Sequence, residues 1–194
     1  MSDNLYAPPQ ADLATSLSEA KQPPFYVVSR GKFLTLFILT FGLYRVYWAY
    51  KNWKQFKQDS GEEMWPVARA IFAIFFTHAL YREADARLKR DGQDFKWEHD
   101  GLATMFVVVS VASNVLDSLA RNNVGYPLVD IANLLLIPAL AWITWLGQRG
   151  LNAAAGDLHG QSNARFTPIN YLFMVLGTLL LVVVVCLGMM VMAR

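Results

Sequence analysis

Apolar residues along this chain gather in five blocks, 33–50, 65–81, 102–120, 127–147 and 169–192, divided by polar stretches. A helix needs about 20 residues to cross a hydrocarbon core. The last three blocks reach that length, and the fifth, with YLFMVLGTLLLVVVVCLGMMVM ending at Met192, carries no charge. The first two are shorter and contain Arg45 and Arg69. The pattern predicts an all-α fold: a polytopic integral membrane helix bundle of about five membrane-associated helices, three of them crossing fully. Ahead of the blocks, MSDNLYAPPQADLATSLSEAKQPP is polar and proline-punctuated and lacks the apolar core of a cleavable signal. It is read as a disordered cytoplasmic tail over 1–24. Residues 25–194 then form one membrane domain, inserted by an internal, uncleaved span.

The second block extends into polar sequence. Glu62 and Glu63 precede Pro66, placing negative charge and an early proline where a helix N-terminus favours them. The run HALYREADARLKRDG continues with Glu83–Arg87 and Asp85–Lys89 at i,i+4, acid first, and Gly92 ends it. One helix near 65–90 is expected, apolar in its first half and solvated in its second. The others are expected near 33–50, 102–120, 127–147 and 169–192.

Composition agrees with a membrane chain: 55% of residues are hydrophobic and 16% are charged, against roughly a quarter charged in a soluble domain. Net charge is +2, and thirteen of the seventeen Lys and Arg lie between Lys21 and Lys96, interleaved with acids. No strongly basic face results, which argues against nucleic acid as a partner. Cys186 is the single cysteine, so an internal disulfide and a cysteine-based metal cluster are excluded. His78, His99 and His159 lie in separate segments without ligand spacing, and neither a metal nor a cofactor is expected.

Charge placement bears on topology. If all five blocks cross from a cytoplasmic N-terminus, the cytoplasmic side holds ten Lys and Arg against five outside. If blocks one and two instead form a re-entrant or interfacial hairpin, Lys51, Lys54 and Lys57 move inside and the tally is thirteen against two. The second layout fits the positive-inside rule better. Both leave the C-terminus periplasmic.

The stretch TFGLYRVYWAYKNWKQF sets Arg45 five residues before Tyr50, or roughly 8 Å along a helix. On a continuous span Arg45 snorkels to the headgroups, while Tyr44, Tyr47, Trp48, Tyr50 and Trp53 form an interfacial belt ahead of three lysines. A headgroup or ligand pocket around Arg45 is the alternative reading. Thr40-Phe41-Gly42-Leu43-Tyr44 with Tyr47-Trp48 resembles the T-x-G-x-Y-x-x-Y-W signature of a family of small bacterial integral membrane proteins of unknown function. DNLYAPPQADL is similar to the N-P-Y-A-P-P-Q-A leader of proteobacterial inner-membrane proteins, with Leu5 in place of proline. LNAAAGDLHGQSNARFTPIN is similar to their G-D-P-x-G-x-x-N-A-R-F pattern, with Leu158 in place of proline. The resemblance implies a bacterial inner membrane and brings no catalytic residues.

Polar residues inside blocks three and four are the remaining candidates. Ser110, Asn114, Asp117 and Arg121 share one helix face, and Asp130 and Asn133 share another. The short connector RNNVGYP makes the two helices an antiparallel hairpin. Counting from the turn places Asp117 level with Asp130 and Asn114 level with Asn133. Two close carboxylates do not both ionise cheaply, so a proton or cation site is one reading. Neutralisation by Arg121 with the asparagines as interhelical contacts is the other. Pro138 is expected to kink block four. The E-E-x-x-x-R and F-x-x-x-H spacing of intramembrane prenyl-type proteases is not met, because Arg69 falls two residues late and no Phe stands four before His78. The expectation is a non-enzymatic scaffold or accessory subunit. Its partners are the lipid bilayer and a protein engaged through the tail and segment 82–100. The alternative is a small proton- or cation-linked transporter using Asp117 and Asp130.

Overall fold

The computed structural model describes residues 22–192, and among them all regular structure is helical. Seven α-helices follow in order: α1 (Arg30–Leu39), α2 (Tyr44–Ser60), α3 (Pro66–Ile71), α4 (Ala73–Arg90), α5 (His99–Arg121), α6 (Leu128–Ala154) and α7 (Pro168–Met192). A 3₁₀ turn, Gln161–Asn163, precedes α7. Two helices, α5 and α6, are long and apolar enough to cross a membrane, and α7 is apolar over Pro168–Val183.

Block one is two helices rather than the single one expected near 33–50. Phe41 and Gly42 both take positive φ, 51° and 81°, a conformation that ends a right-handed helix and that glycine adopts without steric cost. Thr40 serves both sides of the reversal. Its hydroxyl donates to the Leu36 carbonyl at 2.7 Å and accepts from the Tyr44 N–H at 3.0 Å, closing α1 and opening α2. In this chain the stretch from Thr40 to Tyr44 is therefore a helix reversal. Helix α2 returns along α1, so that the Phe33 ring meets those of Tyr44 and Trp48.

Block two is also divided, at Phe72, whose ψ of 35° lies outside the helical region. The Asp85–Lys89 pair forms at 2.6 Å. Glu83–Arg87 does not, because Arg87 is taken by Asp59 of α2 at 2.8 Å and by Asp91 at 2.7 Å. Burial alone would raise the Asp85 carboxyl. The Lys89 hydrogen bond, the charges of His99 and Lys89 and the Trp97 N–H outweigh that and hold it below the usual carboxylate value.

The core lies around the C-terminal half of α6, where Leu140, Ala141, Ile143, Trp145 and Leu151 are buried. Gly147 and Gly150 set the packing distance: a Cβ at either position would overlap the Tyr81 or Trp97 ring. Beyond that core α5 and α6 continue as a two-helix hairpin, with Val111, Val115, Ile131, Leu134 and Leu135 exposed. Arg45, in the first turn of α2, reaches Ser110 at 3.2 Å, and Ser110 is the middle residue of α5. The α1–α2 reversal thus sits halfway along a helix about 34 Å long. The start of α1 lies near the other end, where Val28 meets Asn152 and Trp97 packs on Gly150.

Candidate functional site

Four buried or part-buried carboxamides converge on an extended segment, Phe25–Val28, that runs between the helices. Phe25, Tyr26, Val27 and Val28 are all buried, Val28 completely. A buried strand without a sheet needs side chains to satisfy its backbone, and here side chains serve both groups of Tyr26, the carbonyl of Val27 and both groups of Val28. The Tyr26 N–H donates to Asn52 Oδ1 at 3.0 Å and the Tyr26 carbonyl accepts from Gln148 Nε2 at 2.7 Å. Asn163 Nδ2 donates to the Val27 carbonyl at 2.8 Å. Asn152 takes both groups of Val28, receiving its N–H at 3.2 Å and donating to its carbonyl at 3.0 Å. Gln148 Nε2 also donates to Asn152 Oδ1 at 2.6 Å, and its Oε1 accepts from the Trp48 indole.

Lys32 extends this cradle into the loop before α7, donating to Asn163 Oδ1 at 2.6 Å and to the Arg165 carbonyl at 2.7 Å. That loop is shaped by Asp157, whose carboxylate accepts from the N–H groups of Gln161 at 3.0 Å and Ser162 at 2.8 Å. Burial raises the Asp157 carboxyl, but these backbone donors and that of Gly160 pull it below the usual range. Gly160 has φ of 69° and presses on the Val28 backbone, where a Cβ would overlap the carbonyl. The loop and the extended segment are thereby locked together.

The expected aromatic belt is divided. Trp48, Trp53 and Tyr44 are buried in the protein core and cannot face headgroups, whereas Tyr47 is exposed and Tyr50 half-buried. Arg45 does not snorkel toward Tyr50: it opens α2, and its guanidinium stacks over Phe106 at 5.6 Å beside Ser110. The helix break that reverses the chain after Leu39 is the physical reason.

In the α5–α6 hairpin the residues that meet are Asp117 and Asn133, whose Nδ2 donates to Asp117 Oδ1, with Ser113 Oγ donating to Asn133 Oδ1 at 3.3 Å. Asp130 is exposed and is not brought to Asp117. Asn114 turns back to the Ser110 carbonyl of its own helix at 2.8 Å, and exposed Arg121 makes no ion pair with Asp117 among the described residues. The partners differ from those expected by about a helical turn, because equal counting from the turn ignores how each helix is rotated. Among the described residues no cluster of His, Cys, Asp or Glu could hold a metal ion.

Two cavities flank these features. One, of about 350 Å³, lies between the α1–α2 reversal and α7 and is walled by Phe41, Leu43, Tyr47, Phe173 and Leu176. The other, of about 440 Å³, opens at the start of α1 and is lined by Arg30, Arg149 and His159 with Trp142 and Trp145. Sequence reasoning overlooked both this basic group and the cradle. Gln148 and Asn152, polar and four apart at the end of an apolar block, were the available signal. The chain matches no protein-family model, no curated protein and no solved structure.

Proposed function

We propose that this chain is an integral protein of the bacterial inner membrane, acting as a scaffold or accessory subunit rather than as a catalyst. The observation that supports it most is the surface of the α5–α6 hairpin. Val108, Val111, Val115, Leu128, Ile131 and Leu134 are exposed, while Ser113, Asp117 and Asn133 bond to one another between the helices. Water favours the opposite arrangement, and soluble monomers rarely expose contiguous apolar patches larger than a few hundred Å².

In this reading α5, α6 and α7 cross, and α1–α2 enters to half depth and returns. Lys51, Lys54 and Lys57 then share a side with Arg30 and Arg149, the thirteen-against-two distribution, so that side is cytoplasmic. The accessory role rests on the same face. Arg82, Arg90, Asp94, Lys96 and Glu98 are exposed there, suited to a protein contact. No observation favours cation-linked transport through Asp117 and Asp130.

Reporter fusions test the layout. Fusions at Gln58, Phe95 and Leu158 should report cytoplasm, and one at Asn123 should report periplasm. A periplasmic signal at Gln58 overturns the half-depth hairpin, and a cytoplasmic one at Asn123 overturns the crossing. Purified protein that alone moves a solute or turns over a substrate in liposomes overturns the accessory role.

A further inference from the structure

We infer that the cavity at the start of α1 binds a phosphate-bearing anion, supplied in place by the headgroup of an anionic membrane lipid. Its walls bring Arg30 from α1, Arg149 from α6 and His159 from the loop before α7 around one space of about 440 Å³. Neither arginine makes an ion pair among the described residues, and no carboxylate lines the cavity. The nearest acid in sequence, Asp157, spends its oxygens on the backbone of Gln161 and Ser162. Two exposed arginines therefore line a site lacking a counter-charge, and planar guanidinium forks of five donors each suit phosphate oxygens.

Three details make the space a receptor rather than a chance gap. The Arg30 guanidinium is held over the Trp142 ring at 4.9 Å, which fixes its direction. Ser29 gives α1 no side-chain cap, so the first-turn N–H groups and the helix dipole remain available to an anion. Gly31 also lines the cavity, and a Cβ there would meet nothing within 4 Å, leaving that backbone open to approach. Trp142, Trp145 and Leu146 extend the wall along α6, giving an apolar surface for the glycerol end of a lipid. The lipid source rests on the membrane reading above; binding of phosphate itself does not.

The test uses the full chain in nanodiscs of phosphatidylcholine doped with dansyl-labelled phosphatidylglycerol, read by energy transfer from tryptophan. Detergent-solubilised protein is titrated separately with inorganic phosphate and followed by phosphorus NMR line broadening. Arg30→Gln with Arg149→Gln is expected to weaken lipid binding roughly tenfold or more, as loss of charged hydrogen bonds does. Gly31→Asp should do the same while favouring the fold, since a carboxylate in the first turn suits the dipole. Arg165→Gln, outside the cavity and equal in charge change to Gly31→Asp, should leave binding unchanged. Phosphate binding that the cavity variants abolish supports the site whatever the topology fusions report; lipid transfer that phosphate does not displace identifies the headgroup as the preferred source. Wild-type binding in both cavity variants, an equal loss in Arg165→Gln, or no binding of either probe overturns the inference.

Discussion

Asn152→Ala removes the side chain that satisfies Val28 on both sides. Val28 has no exposed surface, and its N–H and carbonyl reach Asn152 at 3.2 and 3.0 Å with no sheet to replace those bonds. Each buried backbone group left unpaired costs about 1–3 kcal/mol. Two of them give an expected loss of about 2–6 kcal/mol, toward the lower end if a water enters the space left by the carboxamide. Gln148 keeps the Tyr26 carbonyl at 2.7 Å but loses its bond to Asn152 Oδ1, so the damage centres on Val28 and the adjoining Gln148 amide. Asn163→Ala should cost less, about 1–2 kcal/mol, because Asn163 is only half-buried and serves a single backbone carbonyl of the segment. Thermal or SDS denaturation in detergent, followed by tryptophan fluorescence, gives the ranking. Hydrogen exchange at Val28 gives the location. If Asn152→Ala shifts stability by less than about 0.5 kcal/mol, the value of a neutral surface change, and Val28 stays protected, then the cradle does not hold the segment.

Other outcomes follow from the same geometry. Gly160→Ala meets both a positive φ and the Val28 carbonyl, and is expected to lower stability by about 1–3 kcal/mol in the same denaturation assay. Asp157 has its folded pKa depressed, so its contribution is present above the ordinary carboxylate range near 4 and is lost as pH falls through the lower folded value. Proteolysis of the 155–165 loop should rise in that acid window in wild type, whereas Asp157→Asn should lack the step. Leu134→Arg, on the exposed face of α6, should cost about 2.5–3.5 kcal/mol of insertion if that face meets lipid near mid-bilayer. A glycosylation-reporter insertion assay measures it, and an unchanged inserted fraction would count against lipid contact there.

The long helices were legible because length and uniform apolarity carry them: 102–120, 127–147 and 169–192 correspond to α5, α6 and α7. α6 continues to Ala154 because Gln148 and Asn152, which read as the end of an apolar block, point into a polar cradle instead of water. The reversal at Thr40–Leu43 was hidden by its apolar setting; a threonine hydroxyl and one glycine do what a polar loop usually does. The polar face carrying Asp117 on α5 and the one carrying Asn133 on α6 were each readable from spacing, but the pairing of the two residues depends on the rotation of two helices, which spacing does not encode. The phosphate cavity was the least legible, since Arg30, Arg149 and His159 come from three distant segments and become neighbours only through the fold.

The extended segment sets an order of events during synthesis. Val28 leaves the ribosome 124 residues before Asn152, its partner on both backbone groups. At about 5–20 residues per second, the N-terminal end waits roughly 6–25 s with those groups turned to water or to a chaperone. Closure of the extended segment therefore comes late, after α5 and α6 exist, and works as a check that the hairpin has arrived. A chain truncated before Gln148 keeps Asn52 for the Tyr26 N–H but lacks the partners of the Tyr26 carbonyl and of Val28.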